Sequence, residues 1–339
     1  MPDSPTVPHD WRPMLATLAA DAPMGEDWSY EIKWDGIRGL VAVEAGRVGI
    51  TSRLGNDLSG RYPELAGLAD AVRAPVLLDG EIVAFDETGR PSFEVLQRRM
   101  HVVDARRQAQ FAVEQPVAFM VFDVLWHDGS SLLDEEYLDR RGVLASLALT
   151  GPNWQTPASV QGADDGVAMV EASRRLGLEG IVAKRSSSRY MPGKRSREWL
   201  KVKHRNQQEL VVGGWVEGQG SRRGSFGALL VGWFDDDGDL HLAGRVGSGF
   251  SDRDLASWAR RLAERPVESS PFVDGDVPRD AHFVTPDLVV EVGFTEWTGD
   301  GRLRHPVMLG RRDDVDPRSV RRELPEGQTG ASSSSKSDR

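Results

Sequence analysis

The chain has 339 residues, a formal net charge of -10 and no cysteine, with 28% charged and 39% hydrophobic residues. This length fits two domains better than one small core, and the absence of thiols excludes disulfides, thiolate catalysis and cysteine-ligated zinc. No apolar run is long enough to span a bilayer and the N-terminus lacks a signal-peptide pattern, so we expect a cytoplasmic protein without a membrane partner.

The N-terminal part of the chain alternates segments typical of strands with segments typical of helices. Apolar runs predict strands at 74–86 and 116–126, and "EGIVAKR" (179–185) predicts another. Helical spacing predicts one helix over 91–110 and a second over 162–177, the latter with an Asp start and a Gly stop. We therefore expect an α/β region whose polar residues stand at the strand ends.

Short strands and glycine-rich turns make up the rest of the chain. "DDDGD" (235–239) is a hairpin signal, and one helix is expected at about 252–264. Several short strands with one helix favour a small barrel of the oligonucleotide-binding (OB) type. We predict domains at 1–205 and 206–325, followed by a disordered polar tail at 326–339.

Lysine is rare in this chain, which makes the positions that keep it informative. Only six of the 42 basic residues are lysines, namely Lys33, Lys184, Lys194, Lys201, Lys203 and Lys336. An amine can lose its proton and attack, whereas a guanidinium stays charged and cannot. Residues 184–205 also carry nine basic residues against the single acid Glu198. This segregated charge indicates a polyanion site, with a solvated basic face as the alternative.

Six short segments resemble, in the same order, the motifs of a known enzyme family. They are "KWDGIR" (33–38), "SRLGND" (52–57), "LDGEIVAFD" (78–86), "FMVFDVLWHDG" (119–129), "EGIVAKR" (179–185) and "WLKVKH" (199–204). Together they resemble the covalent nucleotidyltransferases, and most closely the ATP-dependent DNA ligases of bacteria. "GRVGSGF" and "FTEWTGDGRLRHPVMLGRRDD" are similar to the ligase domain of end-joining ligase D and its stand-alone relatives of the ligase C type.

The resemblance implies an α+β fold, in which an N-terminal nucleotidyltransferase (adenylation) domain of antiparallel sheets and helices precedes a C-terminal OB-fold β-barrel. It also implies ATP as the cofactor, Mg²⁺ or Mn²⁺ as the metal, and nicked or broken duplex DNA as the partner, in DNA repair. An end-binding protein such as Ku is a further candidate partner, and we expect a monomer.

Lys33 is the residue that the resemblance assigns as the nucleophile. Its Nζ would attack the α-phosphorus of ATP, expel pyrophosphate and form a phosphoramidate that holds AMP until the DNA substrate binds. The amine must first be neutral, and we expect Lys201, Lys203 and partial burial to lower its pKa.

Further residues are assigned to the nucleotide by the same resemblance. Glu31 would accept a hydrogen bond from the adenine amino group, and a backbone group of Ile32 would read the ring edge. Phe122 would stack on adenine, with a core aromatic as the alternative. Arg38 and Arg53 would hold ribose and phosphate oxygens, and Arg53 would later contact the 5′-phosphate of DNA.

Carboxylates and lysines complete the implied site. Glu81 would bond the ribose hydroxyls, and Glu81 and Glu179 are the implied metal ligands, since divalent cations of this kind prefer oxygen donors. Lys201 and Lys203, two residues apart, share one face of a strand and would both reach the α-phosphate. Lys184 is interpreted either as a contact to the DNA backbone or as a solvated side chain.

The last family motif lies in the barrel domain, where it is matched by Arg304, Pro306, Arg312 and Asp314. Arg312 would lie at the pyrophosphate leaving group. Val315 departs from the family pattern, because relatives commonly carry lysine there, and Arg311 together with Arg312 would supply part of the missing charge.

Two kinds of alternative compete with a DNA ligase. An RNA ligase or a GTP-using capping enzyme would share the lysine chemistry, and labelling with ATP or GTP separates the capping enzyme. A nucleotide-responsive DNA-binding protein without catalysis is the alternative from another class. A covalent adduct on Lys33 would exclude it.

Overall fold

The structure is a computed structural model that describes residues 6–100, 102–218, 226–274 and 276–324. The strands are β1 (Leu15–Leu18), β2 (Trp28–Lys33), β3 (Ile37–Glu44), β4 (Arg47–Ser52), β5 (Val76–Ala84), β6 (Val117–His127), β7 (Ser130–Ser131), β8 (Trp154–Gln155), β9 (Ser159–Gln161), β10 (Gly180–Arg185), β11 (Arg195–Lys203), β12 (Asn206–Glu217), β13 (Phe226–Phe234), β14 (Leu240–Val246), β15 (Pro266–Val267), β16 (Ala281–Phe294), β17 (Glu296–Trp297), β18 (Leu303–Arg304) and β19 (Val307–Arg311). The α-helices are α1 (Leu68–Ala71), α2 (Phe93–Met100), α3 (Ala105–Glu114), α4 (Tyr137–Ser146), α5 (Ala163–Arg175) and α6 (Asp252–Ala263).

The first sheet has the strand order β1-β11-β10-β2-β9, and its neighbours are antiparallel except for β1 and β11. Successive side chains of a strand point to opposite faces. One face buries Tyr30, Ile181 and Val202 in a core that α5 completes. Lys33 of β2 and Lys201 and Lys203 of β11 stand on the opposite face and point away from that core. α5 confirms the helix predicted over 162–177.

The second sheet has the order β4-β3-β5-β6-β7, with β8 beside β6 in parallel. β5 and β6 confirm the strands predicted at 74–86 and 116–126. The core of this sheet contains the buried side chains of Val41, Leu78, Ile82, Phe119 and Val121.

The C-terminal sheet has the order β14-β13-β12-β16-β15, and β19 pairs with another part of β16. Both of its sides are apolar: Leu210 and Val212 belong to one buried cluster, and Val211 between them belongs to another. The hairpin of β13 and β14 turns in the predicted "DDDGD" segment. α6 confirms the helix expected at 252–264.

The chain passes from the first sheet to the C-terminal sheet between Lys203, which ends β11, and Asn206, which begins β12. The predicted α+β class is confirmed, with antiparallel sheets and helices followed by a β-rich domain of the OB type. The boundaries at 1–205 and 206–325 stay predictions, and the predicted tail at 326–339 lies outside the described residues. Within the described ranges, no helix is long and apolar enough to cross a membrane.

The single helix predicted over 91–110 is wrong, because this segment contains two helices. α2 ends at Met100 and α3 begins at Ala105. The side chain of Asp104 accepts a hydrogen bond from the backbone N–H of Arg107 (2.8 Å). Asp104 is therefore the N-cap of a new helix, a position that aspartate prefers to a helix interior.

Two aspartates are buried in the middle of the second sheet, and each is neutralised by an arginine. Asp79 on β5 lies opposite Asp123 on β6, and both are 0% exposed. Arg38 donates two hydrogen bonds to Asp79 (2.6 and 2.7 Å), and Arg140 donates two to Asp123 (2.8 and 2.9 Å). These bidentate pairs fix the position of Arg38 and of helix α4, because a buried charge without its partner is costly.

Replacing Arg140 by methionine is expected to lower the free energy of unfolding by about 3–5 kcal/mol, because Asp123 would keep a buried and uncompensated charge. Urea unfolding followed by circular dichroism measures this loss. The matched control is Arg98→Met on α2, where Arg98 pairs with Glu94 at 3.0 Å on the exposed surface. That change is expected to cost less than about 1 kcal/mol. Equal losses in the two variants would contradict the prediction.

Candidate active site

A cavity of about 700 Å³ lies where the two N-terminal sheets meet the C-terminal domain. It is lined by the residues to which the family resemblance gives a role towards the nucleotide or the metal, namely Glu31, Ile32, Lys33, Arg38, Arg53, Glu81, Phe122, Glu179, Lys201, Lys203 and Arg312. Arg304, Pro306 and Arg311 of the last family motif do not line it, and Arg304 pairs with Glu296 instead (2.7 Å). The structure therefore brings the predicted site residues together in one place. Their individual roles stay predictions.

Strand pairing places Lys33 beside two other charged residues at one end of the first sheet. Lys33, the last residue of β2, pairs with Gly180 of β10, and Gly180 pairs in turn with Lys203 of β11. Glu179 immediately precedes β10 and lies at the same end. Gly180 permits this close approach, since a Cβ at that position would lie 2.0 Å from the carbonyl oxygen of Val202.

Lys33 forms an ion pair with Glu179, whose other carboxylate oxygen lies 3.8 Å from Nζ of Lys203. Burial alone would lower the pKa of Lys33. The charge and hydrogen bond of the Glu179 carboxylate, together with the nearby Glu81 and Asp35, outweigh burial and raise that pKa above the usual value for lysine. The prediction that Lys201 and Lys203 lower the pKa of Lys33 is wrong for this arrangement, because a carboxylate contacts the ammonium directly. Lys33 must lose this partner and a proton before it can act as a nucleophile.

Lys184 is buried beside Glu31, so both interpretations of Lys184 from the sequence are wrong. Only 1% of this residue is exposed, and its Nζ lies 2.7 Å from Oε2 of Glu31. Nζ also lies between 4.3 and 4.9 Å from the ring centroids of Phe122, Tyr137 and Trp199. The hydroxyl of Tyr137 donates to the other oxygen of Glu31. Glu31 is thus fixed in the cavity wall, and its carboxylate still has lone pairs for a ligand donor.

Arg38 and Phe122 lie together in the wall formed by the second sheet. The guanidinium carbon of Arg38 is 4.5 Å from the ring centroid of Phe122. Phe122 lines the cavity rather than belonging to an apolar core cluster of the described residues. Sequence reasoning missed Asp79, which binds Arg38, and Tyr190, whose hydroxyl donates to Asp79 at 2.6 Å. The available signal was an aspartate inside the apolar run "VLLDGEIV".

Two carboxyl groups of the cavity are strongly affected by burial. Burial raises the pKa of Glu81 to about 8. In a large share of molecules the Glu81 carboxyl is therefore protonated at neutral pH and can donate a hydrogen bond. A partner of this kind suits a ribose hydroxyl. Burial and the negative charge of Glu179 raise the pKa of Asp35 to about 7. Arg53 lines the cavity from the turn after β4.

Lys201 and Lys203 both point into the cavity from β11, as their spacing predicted. Nζ of Lys201 lies 2.6 Å from a carboxylate oxygen of Glu323, and Nζ of Lys203 donates to the carbonyl of Gln207 (2.9 Å). Burial lowers the pKa of Lys201. Sequence reasoning missed Glu323, because nothing in its local sequence connects it with a strand more than a hundred residues earlier.

Arg312 reaches the cavity from the C-terminal domain, just after β19. It donates two hydrogen bonds to Asp314 (both 2.8 Å) and one to Glu291 (3.1 Å). Its guanidinium carbon is 4.7 Å from the ring centroid of Phe93 on α2, so the two domains are in contact here. Val315, at the position where the resemblance leads us to expect lysine, is 5% exposed and packs in an apolar cluster.

Glu179 and Glu81 are the candidate metal ligands of this cavity. Among the described residues, no group of three or more His, Cys, Asp and Glu side chains is arranged to hold a metal ion. Mg²⁺ commonly binds through one or two carboxylates, with substrate phosphates and water supplying the other oxygens. Glu179, in a cavity lined by lysine and arginine, fits a cation of this kind that binds together with nucleotide phosphates. Glu81 would have to lose the proton that its raised pKa favours before it could serve as the second ligand.

Two family models match most of this chain. The family model "ATP dependent DNA ligase domain" matches residues 13–203, and the model "ATP dependent DNA ligase C terminal region" matches residues 222–315. The chain is 43% identical over 319 residues to the multifunctional non-homologous end joining DNA repair protein LigD of Mycobacterium tuberculosis. The matched region covers 92% of this chain and 40% of that protein. The chain thus spans about 40% of the length of the LigD relatives it matches.

Two further relatives match over nearly their whole length. DNA ligase C1 of Mycolicibacterium smegmatis is 33% identical over 327 residues, which cover 91% of each chain. A solved structure of mycobacterial DNA ligase D complexed with ATP and MES matches with a TM-score of 0.64 and 39% identity, covering 93% of this chain and 99% of that one. The family models and these identities agree with the cavity and its lysine: this chain belongs to the ATP-dependent DNA ligase family.

Proposed function

We propose that this chain seals nicks or breaks in duplex DNA, with ATP as the source of an adenylate that is held on Lys33. The observation that carries the proposal is the convergence of the residues assigned to the nucleotide and the metal on one cavity around Lys33. Lys33 is the last residue of β2, and both Lys33 and Lys203 pair with Gly180 of the strand between them. Glu179 forms an ion pair with Lys33.

The first step is self-adenylation. Neutral Nζ of Lys33 attacks the α-phosphorus of ATP; a P–N bond forms, the bond from the α-phosphorus to the bridging oxygen breaks, and pyrophosphate leaves. Lys201 and Lys203 neutralise charge on the nonbridging α-phosphate oxygens, and Arg312 orients the leaving group. Glu31, Ile32 and Phe122 bind the base, while Arg38, Arg53 and Glu81 bind the ribose and phosphates.

The second and third steps act on DNA. A 5′-phosphate oxygen at the nick attacks the phosphorus of the lysyl adenylate, the P–N bond breaks, and Lys33 leaves as the amine. The 3′-hydroxyl then attacks the 5′-phosphorus and AMP departs. Arg53 contacts the 5′-phosphate in these steps. The C-terminal domain, which contacts α2 here, is expected to move between the ATP-bound and DNA-bound arrangements.

The metal, the partners and the cellular setting belong to the proposal as well. Mg²⁺ or Mn²⁺, held by Glu179 and Glu81, would neutralise negative charge on the nucleotide phosphates. The names of the LigD relatives support a setting in end-joining repair. An end-binding protein such as Ku is the partner we propose for that setting. We further propose a cytoplasmic monomer with an adenylation domain at 1–205 and an OB domain at 206–325.

Labelling tests this proposal directly. The purified chain is incubated with α-labelled ATP or α-labelled GTP and Mg²⁺ or Mn²⁺, and then with nicked duplex DNA. We expect a covalent protein adduct with ATP, little adduct with GTP, and a sealed strand after DNA is added. An adduct with GTP would support a capping enzyme, sealing of RNA alone would support an RNA ligase, and no adduct would support a non-catalytic protein.

DNA affinity is expected to depend strongly on salt, because exposed basic residues between β10 and β11 would contact phosphates. Each contact contributes about 0.9 log units of affinity per log unit of salt. Lys194 is exposed in this connection, beside the cavity-lining Gly193 and Arg195. Lys194→Gln should therefore reduce the salt slope by about one contact, as measured by fluorescence anisotropy with nicked duplex DNA. An unchanged slope would exclude a phosphate contact at Lys194.

A further inference from the structure

The segment that follows the C-terminal sheet enters the proposed ATP cavity. Val320 is buried, and its carbonyl accepts a hydrogen bond from the backbone N–H of Phe234 (3.0 Å). Gln208, which is 1% exposed, then holds the chain at two points. Its side-chain amide donates to the carbonyl of Arg321 (2.8 Å), and its side-chain oxygen accepts from the backbone N–H of Glu323 (2.9 Å). The backbone of this segment is thus fixed on the C-terminal domain and directs Glu323 towards the cavity.

The carboxylate of Glu323 lies on the lysines of β11. Oε1 is 2.6 Å from Nζ of Lys201, and Oε2 is 3.9 Å from Nζ of Lys203. Oε2 is buried and has no hydrogen-bond partner among the described residues. The carboxylate therefore contacts both lysines, but only one of its two oxygens is fully satisfied, which leaves part of its desolvation uncompensated.

We propose that Glu323 is an internal competitor of ATP, whose carboxylate takes the place of a nucleotide phosphate on Lys201 and Lys203. This inference rests on the proposed function in one respect, the assignment of these two lysines to the α-phosphate. A carboxylate and a phosphate are both anions that accept hydrogen bonds from ammonium groups. Oε1 of Glu323 already occupies hydrogen-bond distance from Nζ of Lys201, so a phosphate oxygen at the same place would meet the carboxylate and its negative charge. Glu323 must therefore leave Lys201 before the phosphates of ATP can bind there.

Competition of this kind lowers the apparent affinity for ATP without changing the chemistry. Only the fraction of molecules with free lysines can bind the nucleotide, so the apparent dissociation constant is the intrinsic one divided by that fraction. A partly buried ion pair of this type is expected to leave about one molecule in five competent. Because Glu323 belongs to the segment that Gln208 holds on the C-terminal domain, its release is tied to movement of that segment.

The test compares Glu323→Gln with the parent chain by calorimetric titration with α,β-methylene-ATP, an analogue in which the bond broken in self-adenylation is replaced. We expect Glu323→Gln to bind the analogue about fivefold more tightly. Gln208→Leu keeps the Glu323 carboxylate but removes the two hydrogen bonds that hold its segment. This variant should also bind the analogue more tightly than the parent chain. The matched control is Glu264→Gln, which removes an exposed carboxylate of the same domain that pairs with Arg265 (3.2 Å), and it should leave binding unchanged.

Unchanged or weaker binding by Glu323→Gln, in a variant whose thermal unfolding matches that of the parent, would overturn the inference. Labelling with α-labelled ATP in parallel separates this result from failure of the proposed function. A parent chain that forms no adduct refutes self-adenylation, whereas the binding shift still decides the role of Glu323. Tighter binding together with a raised rate of adduct formation at low ATP would support both.

Discussion

Lys33→Arg is expected to form no detectable enzyme–AMP, a loss of more than about a thousandfold relative to the parent chain. The guanidinium keeps the positive charge and can still pair with Glu179, but it has no lone pair with which to attack phosphorus at neutral pH. Lys33→Ala should lose the same activity and also leave Glu179 with only its more distant ion-pair partner, Lys203. Gel separation of the protein after incubation with α-labelled ATP measures both variants.

A nick that already carries a 5′-adenylate provides the control for the two Lys33 variants. Joining such a nick requires attack by the 3′-hydroxyl and no lysyl adenylate, so both variants should still join it. Lys33→Arg should retain more of this activity, because it preserves the charge beside Glu179. Robust adenylation of Lys33→Arg would refute the assignment of Lys33 as the nucleophile.

Arg312→Ala is expected to slow enzyme–AMP formation about a hundredfold, because it removes a preorganised charge at the leaving pyrophosphate. Asp314 and Glu291 hold the guanidinium in the cavity by three hydrogen bonds of 2.8 to 3.1 Å, which provides the fixed position that the proposed role requires. Single-turnover labelling at saturating ATP measures the rate. Pyrophosphate leaves only in the first step, so the later steps should depend less on Arg312.

The same Arg312 variant should join a pre-adenylated nick at a substantial fraction of the parent rate. A folding defect would depress adenylation and joining together, which makes the comparison internally controlled. If a folded Arg312→Ala variant loses both activities to the same extent, Arg312 is not specific to the first step. The expected movement of the C-terminal domain between steps would then lose its main support.

The sequence predicted the residues of the cavity better than their surroundings. The alternation of a strand placed Lys201 and Lys203 on one face, and the structure confirms it. Local spacing in the sequence could not place Glu179 against Lys33, because that contact depends on the register in which Gly180 pairs with Lys33. Register between distant strands is set by turns and by packing rather than by local spacing. For this reason the direction of the Lys33 pKa shift was predicted wrongly.

The surroundings of Lys184 could not be predicted from its neighbours in the sequence either. Its neighbours in the sequence, alanine and arginine, are typical of a solvated strand end. The rings and the carboxylate that surround it come from β2, β6, α4 and β11, which meet only in the folded chain. Asp79 and Asp123 were more accessible to prediction, since a carboxylate in an apolar strand requires a buried partner. Their partners, Arg38 and Arg140, could not be chosen from among the many arginines of the chain.

The identity of the adenylated residue is the most direct test that Lys33 is the nucleophile. The parent chain is incubated with ATP and a divalent cation, digested, and analysed by tandem mass spectrometry for peptides that carry AMP. We expect the adduct on the peptide that contains Lys33, with fragment ions that place AMP on its side chain. An adduct on Lys201, Lys203 or any other residue in place of Lys33 would contradict the mechanism.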